Sequence, residues 1–228
     1  MEMELRDRIV EAVSNNDLES MKNLLSDGAD PNTACDIFGN TLLHKAIESP
    51  KAVSLLIDAG ADVNKKNIYW ISPIYAACAC KAPKIETIST LLSKGAVINE
   101  RNIFGTMALH AICANPEADM NMLKVMLDAG ADPNMKDRDG RTPLSTAVSL
   151  NYRNNVVCIL ESGKCTFDTC KEAAEIASAR GFIDLAEMLH LHMKENNADR
   201  EKMIGKIVEM NPLPSHKPKT ENKKMEIL

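Results

Sequence analysis

The sequence predicts an all-α solenoid of stacked helix-turn-helix units with projecting β-turn loops, and three observations carry that prediction. A short phrase recurs, as LLSDGADPN ending at Asn32, LLIDAGADVN ending at Asn64, LLSKGAVIN ending at Asn99 and MLDAGADPN ending at Asn134, with a degenerate copy in ILESGKCTF. Its glycines, Gly28, Gly60, Gly95, Gly130 and Gly163, follow one another at 32, 35, 35 and 33 residues, a period that belongs to a repeated supersecondary unit. The composition is also aliphatic, with 4% aromatic residues against 13 methionines, as suits short helices packed on one another.

A second phrase alternates with the first: GNTLLHKAI from Gly39, ISPIYAAC from Ile71, GTMALHAIC from Gly105 and GRTPLSTAV from Gly140. Each element follows from its residues. Thr41, Ser72 and Thr142 suit the cap of a first helix, and Pro73 and Pro143 fit its first position, where no amide hydrogen is needed. Small residues such as Ala46, Ala76, Ala77 and Ala147 let this helix A lie close to its neighbours. The aliphatic runs Val53 to Ile57, Ile88 to Leu92, Leu123 to Leu127 and Val156 to Leu160 supply the bulk of helix B. The glycine after helix B marks a left-handed C-terminal cap.

These residues resemble the ankyrin repeat family, whose T-P-L-H-x-A signature is matched in part by Thr41, Leu42, Leu43, His44 and Ala46, by Ser72, Pro73, Ile74, Tyr75 and Ala77, by Met107, Ala108, Leu109, His110 and Ile112, and by Thr142, Pro143, Leu144, Ser145 and Ala147. The resemblance implies an ankyrin-repeat solenoid over 1–197: an N-terminal cap at 3–35, repeats at 36–67, 68–102, 103–137 and 138–170, and a C-terminal cap at 171–197, the caps being polar variants of the unit. The stretch between helices A and B is short around Ser49-Pro50-Lys51 and long around Lys81-Ala82-Pro83 and Asn115-Pro116-Glu117, changes that loops tolerate at small entropic cost. Beyond the array, EKMIGKIVEM places Met203, Ile204, Ile207 and Val208 at helical spacing, which predicts an extra helix within 198–210. Residues 211–228 are rich in proline and lysine and read as a mobile tail.

Composition excludes several function classes. The net charge of -5 is spread in both signs, against a nucleic-acid partner, which needs concentrated Lys and Arg. The N-terminal MEMELRDRIVEAV is too charged for a signal peptide, and no stretch of about 18 apolar residues occurs; neither secretion nor a membrane is expected. Seven cysteines without a CxxC pair read as reduced thiols, Cys78 and Cys113 as core filling, and the chain as cytoplasmic. Neither GxxxxGK[ST] nor GxGxxG occurs, and no nucleophile has a base beside it. The expectation is no enzyme, no cofactor and no metal. His44 and His110 stand at the family's signature histidine, which ties adjacent loops together.

The family implies binding of a protein ligand through the turn tips and the adjoining side of helix A, which form a concave face. On those tips the sequence places Ile37 and Phe38, then Ile68, Tyr69 and Trp70, then Ile103 and Phe104, an apolar stripe holding four of the eight aromatic residues of the chain. Buried aromatics and arginine carry much of the energy of interfaces. Trp70 stands where the other turns have glycine. Phe38 and Phe104 fit either a partner contact or packing on the next turn. Lys45, Arg101 and Arg138 are candidates for a polar rim. Leu56 to Asn64 matches the L-x5-D-V-N context in which family members are hydroxylated on asparagine, so Asn64 is a modification candidate. The expected function is a non-enzymatic protein-binding module, monomeric when unbound. Its imperfect repeats and charged tail resemble ankyrin proteins that pathogens direct at host proteins, which would put it in host cytoplasm. The alternative is a structural subunit whose stripe is permanently covered.

Overall fold

A computed structural model describes residues 2–194 of the 228. Helices alternate along the chain in pairs: α1 (Glu2–Ser14) with α2 (Leu18–Ser26), α3 (Leu42–Ala46) with α4 (Pro50–Asp58), α5 (Pro73–Ala79) with α6 (Ile85–Ser93), α7 (Ala108–Cys113) with α8 (Met120–Asp128), α9 (Pro143–Ser149) with α10 (Arg153–Glu161), and α11 (Phe167–Ala179) with α12, residues 183–194. Odd-numbered helices pack on the next odd one and even on even, α5 on α7 on α9 on α11 and α4 on α6 on α8 on α10. This is an all-α ankyrin-type solenoid, as predicted. No strand forms among the described residues; the turns contribute one isolated antiparallel bridge, Ala34 with Thr41. The expected helix within 198–210, the tail 211–228 and the end of the C-terminal cap at 195–197 lie outside the described residues.

Burial follows the two phrases. In the odd helices Ala46, Ala77 and Ala147 are buried together with Cys78 and Cys113, so helices come close where side chains are small. In the even helices Val53, Leu56, Ile88, Leu91, Leu123, Met126, Val156 and Ile159 are fully buried and join one continuous core. No single pair can hide such a face alone, so the core exists only between neighbours.

The helix ends are built as their residues dictate. Ser72 Oγ accepts the amide of Tyr75 at 3.4 Å and Thr142 Oγ1 that of Ser145 at 3.1 Å, with Pro73 and Pro143 in the first turn. Thr41 differs: its hydroxyl lies 2.8 Å from His44 Nδ1. After α2, α4, α6 and α8 the chain turns at Gly28, Gly60, Gly95 and Gly130 with φ between +87° and +95°. Ala61 then donates to Leu56 O at 2.9 Å and Gly60 to Ile57 O at 2.9 Å, the paired bonds of a Schellman ending, and the pattern repeats in the other three.

The linkers of unequal length are tied down by buried polar side chains. Asn115 Nδ2 donates to the carbonyls of Cys78 at 3.0 Å and Cys80 at 2.8 Å, Asn155 Nδ2 to Cys113 O at 3.3 Å, and Thr87 Oγ1 to Ile47 O at 2.9 Å. Each satisfies a carbonyl at the end of an odd helix, which would otherwise be costly to bury. In the core itself, Leu109→Ala is expected to lower unfolding free energy by about 2–5 kcal/mol. Urea denaturation followed by circular dichroism measures this, and a loss under 1 kcal/mol would contradict the packing.

Candidate functional site

The turns before the odd helices share one local design. Asp36, Asn67, Asn102 and Asp137 each accept two backbone amides through one side-chain oxygen: from Phe38 and Asn40, Tyr69 and Ile71, Phe104 and Thr106, and Asp139 and Arg141, at 2.8–3.1 Å. A side chain that mimics a backbone turn in this way fixes the tip. The sequence reading missed these four residues, although an Asp or Asn three positions before Gly39, Trp70, Gly105 and Gly140 was there to find. Burial would raise the pKa of Asp36 and Asp137, but the bonds from Asn40 and Arg141 outweigh it and both are lowered.

Successive tips are joined by single backbone bonds, Ile68 N–H to Phe38 O at 2.9 Å, Ile103 N–H to Tyr69 O at 3.1 Å and Arg138 N–H to Phe104 O at 3.2 Å. Ile37, Phe38, Ile68, Tyr69, Trp70, Ile103 and Phe104 therefore stand on neighbouring rungs. Ile37 is 89% exposed, Trp70 60% and Phe104 61%; Phe38, Ile68 and Tyr69 are also exposed. Ile103 departs from the expected stripe, being half-buried. Phe38 packs on the next turn, its ring 5.8 Å from that of Tyr69.

Trp70 occupies the glycine position with φ of +57°, where Gly39, Gly105 and Gly140 have +73°, +76° and +78°. A bulky residue in this region is strained by about 1–2 kcal/mol. Of the rim candidates, Lys45 and Arg138 are exposed. Arg101 differs from a free rim residue, because its guanidinium donates to the carbonyls of Gly105 and Lys136 and braces two turns.

Asn64 is half-buried and part of a second ladder. Its Nδ2 donates to Gly95 O at 3.0 Å and its Oδ1 accepts Val97 N–H at 2.9 Å; Asn32, Asn99 and Asn134 bond the following unit in the same manner.

A third ladder runs through the fourth position of the signature. His44 Nδ1 accepts Thr41 N–H at 3.1 Å, so its Nε2–H donates to Ile71 O at 3.0 Å; His110 repeats this with Met107 N–H at 3.4 Å and Arg141 O at 2.9 Å. The geometry selects the neutral ring. Burial lowers both pKa values from the ordinary 6.5, against the opposing pull of the bonded carbonyls and of Asp36 and Asp137. Tyr75 reaches Thr106 Oγ1 at 3.1 Å in the same position, while Ser145 bonds only within its own turn.

No cluster of three or more His, Cys, Asp or Glu suited to a metal occurs among the described residues. None of their helices is long and apolar enough to cross a membrane. All the cysteines are free of disulfides, and burial pushes the Cys35 thiol up to about 11.

Helix pairs stacked in register, with tips laced to tips, define a repeat solenoid. A family model described as ankyrin repeats in three copies matches residues 9–102 and 74–169, and the chain belongs to the ankyrin repeat family. A search of curated proteins found no match. Ankyrin repeats generally mediate protein–protein interaction, and the family is typically non-enzymatic.

Two measurements test this geometry. Removing the indole as Trp70→Gly is expected to leave the protein about 1 kcal/mol more stable than Trp70→Ala, since only glycine relaxes the left-handed backbone; equal midpoints in urea would count against the strain. A histidine with a depressed folded pKa contributes stability in full above the unfolded value of 6.5, and loses it as the pH falls below that, because the unfolded chain takes the proton first. The melting temperature is therefore expected to drop between pH 7.5 and 5.5, and to drop less in a His44→Gln, His110→Gln variant.

Proposed function

We propose that this chain is a protein-binding module that captures one protein ligand on its concave face, with Trp70 and Phe104 as anchors. Ile37, Phe38, Ile68 and Tyr69 extend the apolar contact, Ile103 supports it from beneath, and Lys45, Arg101 and Arg138 form the polar margin. The observation that carries this reading is Trp70: a large apolar side chain, mostly in water, held in a backbone conformation that disfavours it. Strain of this kind clusters at functional sites, and a contiguous exposed apolar patch marks an interaction site.

The units bounded at 36–67, 68–102, 103–137 and 138–170, between caps at 3–35 and 171–197, are the frame for that face. The free thiols support residence in a reducing compartment such as the cytoplasm. The chain is monomeric until it meets its ligand, and light scattering of the purified protein tests this; aggregation in the absence of a partner would favour the structural-subunit reading. Affinity capture from lysate, comparing the natural chain with Trp70→Ala, Phe104→Ala, is expected to lose the bound protein, with a loss of affinity of tenfold or more. Equal retention by both would overturn the assignment.

Asn64 is the proposed site of hydroxylation, supported by the LIDAGADVN context. Both of its amide bonds lie at the end of the side chain, so an oxygen added at Cβ leaves them in place. Mass spectrometry after exposure to an asparaginyl hydroxylase is expected to show one added oxygen on the Asn64 peptide and none on those of Asn32, Asn99 and Asn134.

A further inference from the structure

Below the tips the surface holds two depressions that meet at Tyr75. One, of about 420 Å³, lies between Phe38, Tyr69, Ile71 and Ala76, with Lys45 at its edge. The other, of about 440 Å³, lies between His110, Arg141, Thr146 and Arg180. Their chemistry differs. The first is lined by the rings of Phe38 and Tyr69 with Ile71, Ala76 and Ala79, beside Asp36 and Asn67, whose side chains are taken up by their own turns, and this lining suits an apolar side chain.

The second carries two guanidinium groups, of which Arg141 is already engaged by two carboxylates, Asp137 in the lining and Asp139 at 2.6 Å from its Nη2. Asp137 Oδ1 accepts the amides of Asp139 and Arg141, and its Oδ2 accepts Arg141 Nε at 3.0 Å. Arg180 donates one N–H to Ser149 O at 3.1 Å, a small part of the five that a guanidinium offers. The hydroxyls of Tyr75 and Thr106, 3.1 Å apart, line the same depression. Arg180 is thus the guanidinium with donors to spare, and its single positive charge matches a singly charged carboxylate better than a phosphate dianion.

We propose that this groove holds an extended segment of a partner protein, which seats an apolar side chain against Phe38 and Ala76 and an Asp or Glu side chain against Arg180. The inference rests on the concave side being the binding face, and adds the chemistry of what binds there. Ala76 lies on α5 and Arg180 caps α11, three stacking steps on; at about 8–10 Å per step and about 3.3 Å per residue of extended chain, the two side chains are separated by roughly seven to nine residues.

The test is selection of a displayed library of random peptides, roughly twelve residues long, on the immobilised full chain. Enriched peptides are expected to share an apolar residue and an acidic residue at that separation. Selection on R180E is expected to exchange the acidic preference for Lys or Arg, a gain that misfolding cannot produce. For one synthesised peptide, Asp→Asn in the peptide or R180Q in the protein is expected to weaken binding about tenfold.

Enrichment without an acidic residue, an acidic preference unchanged in R180E, tighter binding of the same peptide with phosphoserine in place of Asp, or no enrichment at all would overturn the proposal. The two readings also fail separately. Peptides that require Trp70 and Phe104 but carry no acid leave the tips as the binding surface and remove the groove. Peptides that follow the charge at position 180 and ignore Trp70→Ala, Phe104→Ala do the reverse.

Discussion

Four of the six helix pairs described end in a turn that is finished by the next pair. The asparagine of one unit reaches the carbonyl of Gly60, Gly95, Gly130 or Lys164 in the next and accepts an amide from the same loop, so a single side chain closes a donor and an acceptor that the stack would otherwise leave open. These directed bonds sit at exposed or half-buried positions, where their part is to set the register of one unit against the next. The tip bonds and the histidine bonds repeat the same logic at two other heights of the stack.

This dependence gives stability a one-dimensional character. Apolar burial is shared between successive even helices, small odd helices allow close approach, and each interface is strengthened by a few directed polar bonds. The uneven linkers show how far the pattern can vary. Asn115 and Asn155 reach back to carbonyls of the preceding unit, which lets one linker be longer than the next without leaving a helix end unsatisfied. The ion pairs Lys66 with Glu100 at 2.8 Å and Lys136 with Glu172 at 2.6 Å follow the same spacing from unit to unit; the second is exposed, where such pairs contribute little, whereas the first is half-buried and leaves Glu100 Oε2 buried without a hydrogen bond.

Much of this was legible in the sequence because it is local and repeated. Gly60 with its flanking Leu56 and Ala61 announces a helix ending, and Ser72-Pro73 a helix start, before any tertiary fact is known. The placement of Ile37, Tyr69 and Trp70 on adjacent rungs followed from the period. What could not be read was anything that depends on one side chain turning back on the chain. Arg101 looks like a rim charge in sequence, yet its carbonyl partners are set by the curvature of two turns. The half-burial of Ile103 depends on how closely its neighbours lean. Arg141 and Arg180 come from different units, and only the stack brings them to one depression.

Two adjoining rungs impose opposite demands. At Trp70 a bulky side chain occupies a backbone shape that suits none, whereas at Gly105 a Cβ atom would come within 2.9 Å of the Arg138 amide nitrogen, so no side chain fits there. The protruding ring therefore cannot move on to the next unit, whereas at Gly39, one unit back, a Cβ atom would stand at an ordinary 3.8 Å from Ile68. Units that look interchangeable thus differ in which of their tips has room for a side chain, and the footprint depends on the order in which they are stacked.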